Sequence, residues 1–298
     1  MIQLEAAKFL RFFSDMHQDF HINSKKFHPS QLWNPDPLDE DKDTILILAG
    51  DIWHAKKPFS FSNYSWFKDL STRFKYILIV LGNHDFWNGS FPTEYSNFER
   101  YKEQHDITNL YLLQDSMITI GNHKFIGATL WTNYNNRDYE TIAYYDRDPS
   151  QLSSNEMFSS DQKYIRYSHP LYKGTYKRIR PKQFMEAHSK SINYIFENAI
   201  KDNSEQTLWV ISHHPPSKAL INDPDLDDTT MGIVANDYDE KIAASEIDYW
   251  IHGHNHQSGS AKIGNTTIMA NTLGYISSPD ENARLNPDYN PWMQLPLN

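Results

Sequence analysis

Short apolar runs alternate with polar, helix-like stretches along this chain of 298 residues. Seven short runs are rich in Ile, Val, Leu or aromatic residues, a composition that predicts β-strands. They lie at 8–17, 43–51, 75–85, 124–131, 206–214, 247–256 and 266–275. Apolar residues recur every three to four positions at 62–73, 93–105 and 182–201, which predicts helices there. Strands that alternate with helices predict an α/β protein.

Two regions of the chain lack such a pattern. The segment 133–180 is polar and aromatic with weak periodicity, and the last residues, from about 279 to 298, are rich in Pro and Asn. A long stretch without elements of its own is usually functional or mobile. We therefore expect one domain over 1–298, with a lid or insert at about 133–180 and an extended tail at about 279–298.

Composition limits the kinds of protein and site. Aromatic residues make up 14% of the chain, which supplies ample core material for an ordered fold. Cysteine is absent, so any metal site must use N and O ligands, and a chain without disulfides fits a reducing cytoplasm. The chain starts without a signal-peptide pattern, and apolar runs such as 45–49 are too short to cross a bilayer. We expect a soluble, cytoplasmic protein with no membrane partner.

Net charge argues against a broad nucleic-acid-binding surface, because the chain carries −10 at neutral pH. The segment 163–182 is a local exception, since it is rich in Lys and Arg and contains no Asp or Glu. Two interpretations stay open. The segment is either a basic lid that recruits an anionic substrate, with tyrosines for base stacking, or a solvated loop balanced by acids elsewhere. The oligomeric state also stays open.

Five of the predicted strands end in side chains that bind metal ions in many proteins. In chain order these are Asp15 and His17, Asp51, Asn83, His213, and His254 with His256. On an extended backbone, residues two apart point to the same face, so each Asp/His or His/His pair should face one way. Buried carboxylates and imidazoles cost several kcal/mol unless something satisfies them. Five such clusters at one rim of a sheet predict a site for two divalent cations.

These blocks, in this order, resemble the five-block signature of the calcineurin-like metallophosphoesterases. The matching stretches are Asp15-Met16-His17, Gly50-Asp51, Gly82-Asn83-His84-Asp85, His213 and Gly253-His254-Asn255-His256. The resemblance therefore extends from residue 15 to residue 256, most of the chain. It implies an α/β fold in which a two-sheet β sandwich is flanked by helices, with a two-metal site at its rim.

The resemblance also implies which side chains bind each ion. The first metal is held by Asp15, His17 and His256, the second by Asn83, His213 and His254, and Asp51 bridges the two. The family's mechanism is in-line attack by a metal-bridging hydroxide, without a phospho-enzyme. Imidazole and carboxylate ligands favour divalent transition ions over Mg²⁺. Mn²⁺ is our first expectation, and Fe, Zn²⁺, Co²⁺ and Ni²⁺ suit the same ligands.

Other residues near these blocks have implied or open roles. In the family, the histidine that matches His84 faces the phosphate and helps the leaving group depart, and Asp85 orients it. We expect His214 and His252 to be buried neighbours of the ligands rather than ligands themselves. His54 is either a substrate contact or a residue on the rim of the site.

The sequence indicates the substrate class only in part. The family's protein Ser/Thr phosphatases carry Asp-Arg-Gly soon after the second block and an Arg before Gly-Asn-His, whereas this chain has Ile52 and Leu81 at such positions. Stretches such as 14–20 and 271–275 are similar to small bacterial and phage metallophosphoesterases. We expect a phosphodiesterase for a nucleotide or other small organic phosphodiester. A phosphomonoesterase and a non-catalytic metal-binding module remain alternatives.

Overall fold

A computed structural model describes residues 2–18, 35–53, 61–147, 159–168, 176–275 and 286–297 of the chain. The strands in these ranges are, in chain order, β1 (Ile2–Leu4), β2 (Phe9–Phe13), β3 (Thr44–Ala49), β4 (Tyr76–Val80), β5 (Ser90–Phe91), β6 (Leu110–Leu112), β7 (Ser116–Ile120), β8 (His123–Ala128), β9 (Arg166–Ser168), β10 (Tyr176–Arg178), β11 (Thr207–Ser212), β12 (Tyr249–His252), β13 (Gly259–Ile263), β14 (Thr266–Ala270) and β15 (Leu295–Pro296). All seven predicted strands are present, each shorter than its apolar run.

The helices lie between the strands. They are Phe61–Arg73, Thr93–Gln104, Tyr139–Tyr145, Ser160–Tyr164, Pro181–Asn198, Asp228–Val234 and Asp239–Ala243, with short 3₁₀ helices at Asp39–Asp43 and His84–Phe86 and a helical turn at Tyr134–Arg137. The three predicted helices are confirmed. The longest begins at Pro181, where the fixed φ of proline suits the first helical position. It ends at Asn198 rather than at 201.

Two large sheets and one small sheet organise the strands. The first large sheet has the order β15-β2-β3-β4-β6, and the second has the order β1-β7-β8-β11-β12-β14-β13. The central neighbours β2, β3, β4 and β6 are parallel, as are β8, β11, β12 and β14. Parallel neighbours need crossover connections, which place helices over the outer faces of the sheets. The small sheet has the order β10-β9-β5.

Apolar side chains fill the space between the two large sheets and beneath the helices. The inner layer combines alternate residues of both sheets, such as Phe12, Ile47, Val80, Phe125 and Ile211. The other side of each sheet packs against helices: Phe67 lies in the cluster over the first sheet, and Ile195 in the cluster over the second. This arrangement confirms the predicted α/β fold, a two-sheet β sandwich flanked by helices.

The regions without a periodic pattern contain regular structure where they are described. Near the C-terminus, β15 pairs antiparallel with β2 and extends the first sheet. Within 133–180, the helices Tyr139–Tyr145 and Ser160–Tyr164 and the antiparallel pair β9–β10 are formed. These elements are too short to show a period, and they are stabilised by contacts with the sandwich. The extent of the domain and the role of 133–180 as a lid stay predictions.

The carboxyl ends of five parallel strands from the two sheets meet at one edge of the sandwich. A parallel bridge between Ser14, after β2, and Thr272, after β14, joins the sheets there. The backbone N–H of Asp15 donates to Gly50 O at 3.0 Å, and that of Gly253 donates to His213 O at 3.0 Å. These contacts join the loop after β2 to the loops after β3 and β14, and the loop after β11 to the loop after β12.

Candidate metal centre

The loops after β2 and β12 bring the first predicted ligand group together. His17 Nε2 lies 3.0 Å from His256 Nε2, which lies 3.4 Å from Asp15 Oδ1. One ligand atom from each of these three residues lies within 4.8 Å of the others. Two imidazole nitrogens this close face each other unfavourably unless a proton or a cation lies between them. The group therefore fits a bound cation.

The loops after β3, β4, β11 and β12 form a second group. Ligand atoms of Asp51, His213 and His254 lie within 4.8 Å of one another. Asn83 Oδ1 lies 2.9 Å from His213 Nε2 and 3.1 Å from His254 Nδ1. The amide oxygen thus points at the same space as both ring nitrogens, as a set of cation ligands does.

Asp51 lies between the two groups. Its Oδ2 is 3.9 Å from His17 Nε2 in the first group, and its Oδ1 is 3.4 Å from His213 Nε2 in the second. One carboxylate oxygen therefore faces each group. A carboxylate shared in this way suits two divalent ions held close together.

The backbone at the ligands differs from the expected extended strand. β2 ends at Phe13 and β12 at His252, before the ligands begin. Positive φ angles occur at Asp15 (55°), His17 (42°), Asp51 (55°), His254 (75°) and His256 (52°). Strand alternation therefore does not place these side chains, and that prediction was wrong, although the paired side chains do converge. A left-handed conformation costs a non-glycine residue about 1–3 kcal/mol, and such strain collects at functional sites.

Close packing fixes the carboxylates. Ser14 Oγ donates to Asp15 Oδ2 at 2.5 Å, and the backbone N–H of His254 donates to the same oxygen at 3.0 Å. A Cβ atom on Gly253 would lie 2.6 Å from Asp15 Oδ2, and one on Gly82 would clash with Asp51 Oδ1. Only glycine lets the backbone pass this close to the two carboxylates.

The charges of the site favour a bound cation. Burial opposes ionisation of Asp51, yet the charge of His213 holds the pKa of Asp51 well below its usual value. Burial likewise opposes protonation of His213, but the charge of Asp51 raises the pKa of His213 to about 9. Burial lowers the pKa of His254 to about 3, so this ring is a neutral donor. Because a buried imidazole retains a proton beside Asp51, the second group has the negative potential that a cation requires.

His84 lies beside both groups. One of its ring nitrogens is within 4.8 Å of ligand atoms of Asp51 and His17. Trp87 stacks on the His84 ring with centroids 3.5 Å apart, and His84 Nε2 lies 3.2 Å from the hydroxyl oxygen of Tyr275. Burial lowers the pKa of His84 to about 4, so the ring of the free chain is neutral at pH 7.

Asp85 has a different place from the one expected. Its carboxylate accepts hydrogen bonds of 2.7–3.1 Å from four backbone N–H groups, those of Asp51, Ile52, Trp53 and Gly82. Within the described residues, its hydrogen-bond partners are thus backbone groups of the loops after β3 and β4, and not the His84 ring. The expectation that Asp85 orients His84 is corrected: Asp85 holds the loop that carries Asp51, whereas Trp87 and Tyr275 contact His84.

The other histidines of the sequence blocks lie behind the site or outside the described residues. The His214 ring lies 4.2 Å from the His254 ring, and His214 Nδ1 is 3.3 Å from Thr129 O. His252 is buried, with Nδ1 3.1 Å from Gly253 O. Both therefore pack against the ligand loops. His54 lies outside the described residues.

The basic segment 163–182 is partly described, and some of its charges are paired. Arg180 Nε lies 2.7 Å from Asp146 Oδ1, and Lys182 Nζ lies 3.8 Å from Glu186 Oε1. Arg178 Nε donates to Gln162 O at 2.9 Å. The pairs at Arg180 and Lys182 favour the interpretation of a balanced, solvated loop for that end of the segment.

Three residues of the site were missed by the sequence reasoning. Tyr275 stacks on His17 with ring centroids 4.3 Å apart, and Trp87 stacks on His84. Asp161 accepts hydrogen bonds from Asn83 Nδ2 at 2.8 Å and from Trp87 Nε1 at 2.7 Å. Trp87 follows the third block and Tyr275 follows β14, so both carried the signal of an aromatic residue close to a strand end. Asp161 lies in the aperiodic segment and carried none.

Comparison with known proteins identifies the family. The family model "Calcineurin-like phosphoesterase" matches residues 10–258, and the chain belongs to this family. The uncharacterised protein L509 of Acanthamoeba polyphaga mimivirus is 26% identical over 285 residues, which cover 90% of this chain and 91% of that protein. The phosphopantetheinyl hydrolase PptH of Mycobacterium tuberculosis has a similar fold, with a TM-score of 0.58, 15% identity and 91% coverage of both chains.

Family membership confirms part of the sequence-based expectations. The protein is a phosphoric ester hydrolase of the metallophosphoesterase superfamily. Divalent metal ions are implied by the family, and the His/Asp groups described above are suited to bind them. Small phosphoesters are the substrates on which the family acts. Among the described helices, none is both long and apolar enough to cross a bilayer.

Proposed function

We propose that this protein hydrolyses a phosphodiester, of a nucleotide or of another small organic compound, with two divalent transition-metal ions. The observation that carries the proposal is the position of Asp51, which faces both ligand groups while His84 lies beside it. One ion would be held by Asp15, His17 and His256, the other by Asn83, His213 and His254, with Asp51 shared. His54 stays a candidate substrate contact.

The chemistry divides between the ions and the side chains. Paired divalent ions held by these groups would lower the pKa of water and offset the negative charge of the phosphoryl group. His84 supplies a ring N–H that can donate to an oxygen of the ester. Negative charge on a bound phosphoester favours the protonated ring, whereas burial and the two cations favour the neutral one. Trp87 and Tyr275 restrict the ring's orientation through their contacts.

Two features favour a diester over a monoester. A monoester phosphate carries more negative charge, and the family's protein Ser/Thr phosphatases bind it with arginines near the second and third blocks. In this chain Leu81 precedes the third block and is buried, and so is Ile52 after the second. In addition, the rings of Trp87 and Tyr275 beside His84 offer apolar surface to the second organic group of a diester.

The choice of metal follows from the ligand chemistry. Carboxylate, amide and imidazole donors without thiolates suit Mn²⁺ and its neighbours among the divalent transition metals, and Mn²⁺ is the ion we propose. Fe, Zn²⁺, Co²⁺ and Ni²⁺ are the alternatives. Elemental analysis after reconstitution with each ion should approach two ions per chain, and the ion with the highest diesterase activity identifies the preferred metal.

A paired assay tests the reaction. Protein reconstituted with Mn²⁺ should hydrolyse bis-p-nitrophenyl phosphate with a higher kcat/KM than p-nitrophenyl phosphate, and treatment with a chelator should abolish both activities. Faster hydrolysis of the monoester would establish the phosphomonoesterase alternative instead. A protein that binds two ions and hydrolyses neither ester, nor a panel of nucleotide diesters, would be a non-catalytic metal-binding module.

A further inference from the structure

Asp161 reaches the metal centre from outside the sandwich. It lies on the short helix Ser160–Tyr164, within the segment that shows no sequence periodicity. A single oxygen, Oδ1, accepts from Asn83 Nδ2 at 2.8 Å and from Trp87 Nε1 at 2.7 Å. One carboxylate of the inserted segment thus contacts a proposed metal ligand and the ring that stacks on His84.

The contact with Asn83 selects one of two amide orientations. An asparagine amide has a carbonyl oxygen, which binds cations, and an NH₂ group, which donates hydrogen bonds. The amide oxygen of Asn83 faces His213 and His254, and the NH₂ group faces Asp161. A flipped amide would place its oxygen against the carboxylate of Asp161, which is repulsive. Asp161 therefore favours the orientation that presents oxygen to the second ligand group.

Asp161 also compensates for a difference in charge between the two groups. The first group contains Asp15 in addition to the shared Asp51, whereas the second contains the neutral Asn83 in its place. A carboxylate that accepts from the far side of a ligand polarises that ligand and strengthens its bond to the metal. Asp161 thus supplies, one side chain away, the negative charge that the second group lacks.

The same segment is fixed to the loop that carries His84. Tyr164 packs on the Trp87 ring with centroids 4.8 Å apart, and Trp87 stacks on His84. The backbone N–H of Asn88 donates to Tyr164 O at 2.8 Å, and that of Arg166 donates to Gly89 O at 3.2 Å. Asp161 is therefore held in place by contacts at the C-terminal end of its helix in addition to its own two hydrogen bonds.

We propose that Asp161 is a positioning residue of the metal centre. It orients the Asn83 amide towards the second ion and, through Trp87, restricts the plane of the His84 ring. The proposal rests on the proposed function, because it takes Asn83 as a ligand of a metal ion. It gives part of the inserted segment a role in assembling the site, separate from any recruitment of substrate by its basic residues.

Calorimetric titration of the metal-free protein with Mn²⁺ tests this role without any substrate. Asp161→Leu removes the acceptor and should weaken the binding of one ion by about 10–100-fold while the other binds as in the wild type. Asp161→Asn keeps an acceptor oxygen and should recover part of that loss. Trp87→Phe is the matched control, because it keeps a stacked ring, removes only the indole N–H and should bind both ions normally.

Two results would overturn the proposal. One is wild-type affinity for both ions in Asp161→Leu. The other is equal weakening of both ions together with a lower unfolding temperature of the metal-free variant, which would show that Asp161 only stabilises the fold. The outcome is separable from the proposed function: if the wild type binds two ions but hydrolyses no phosphoester, the hydrolase proposal fails while the titration still decides the role of Asp161.

Discussion

The two ligand groups share Asp51 but are supported by different parts of the chain. In the first, Asp15 is held by Ser14 Oγ and by the backbone N–H of His254, both within the loops that carry the ligands. In the second, the neutral Asn83 is held by Asp161, which is 78 positions away in the sequence and outside the two large sheets.

This difference shows that the sandwich and the inserted segment make different contributions to the site. The edge of the sandwich places the ligand backbones of both groups. The inserted segment contributes a charge and an amide orientation to only one of them. Segments outside the central sheets change more readily than the sheets do, so the second group is the more sensitive to changes in the periphery of the molecule.

The largest expected effect comes from the residue that both groups share. Asp51→Asn removes the charge that faces each group, so both ions should be lost and diesterase activity should fall by about 10³-fold or more, equivalent to several kcal/mol. Elemental analysis and the bis-p-nitrophenyl phosphate assay measure the two effects. His17→Ala is the matched variant, since it should empty the first group and leave the second largely occupied.

Two results would contradict the bridging role of Asp51. A wild-type protein that saturates at one ion per chain with full activity would contradict the bridging role of Asp51. So would an Asp51→Asn variant that loses one ion and retains the other at wild-type affinity.

A smaller and substrate-dependent effect is expected for His84→Ala. Proton donation contributes little when nitrophenolate leaves, because that group departs well unaided. For an alkyl or nucleotide ester it typically contributes about 10²–10⁴-fold, so kcat should fall far more with such an ester than with bis-p-nitrophenyl phosphate. Both ions should remain bound, as elemental analysis will show.

Asp85→Asn is the variant to compare with His84→Ala. Asp85→Asn places an NH₂ group among backbone N–H donors, so it should lower the unfolding temperature and slow all esters alike. If His84→Ala also slowed all esters alike at full metal occupancy, proton donation would be the wrong role. The ring would then stabilise charge on the phosphoryl oxygens, which every substrate carries.

The smallest effect is expected at the basic segment. If Lys177 and Arg178 attract a polyanion, their joint replacement by Ala should raise KM for a nucleotide substrate by a few-fold at low salt, about 0.2–1 kcal/mol per contact. The difference should shrink as salt increases, and turnover of bis-p-nitrophenyl phosphate should not change. Lys182→Ala is the control, because Lys182 lies on the helix Pro181–Asn198 near Glu186. An unchanged KM for every nucleotide tested would favour the solvated-loop interpretation.

Much of the fold was predictable, because strands follow from the local pattern of apolar residues. The apolar runs predicted every strand whose carboxyl end carries a ligand, and the residues after those runs are the ones that converge. The elements of 133–180 were not predicted, since strands such as β9 and β10 have three residues each and show no measurable period.

The details of the site were less predictable, because they depend on contacts between distant residues. Strand alternation does not apply to Asp15 and His17, because the strand ends at Phe13 and the backbone then turns left-handed, held by hydrogen bonds to the loop after β3. Asp85 follows His84 directly in the sequence, yet its carboxylate points at the backbone of another loop.

The sequence by itself determined the strands of the seven apolar runs, the family and the identity of the proposed ligands. It could do so because apolar periodicity and the chemistry of residues at strand ends are local properties of the chain. Only the tertiary structure decided that Trp87 and Tyr275 contact His84, and that Asp161 orients Asn83. These are distances between segments far apart in the sequence, and they are set by how the two sheets and the inserted segment pack together.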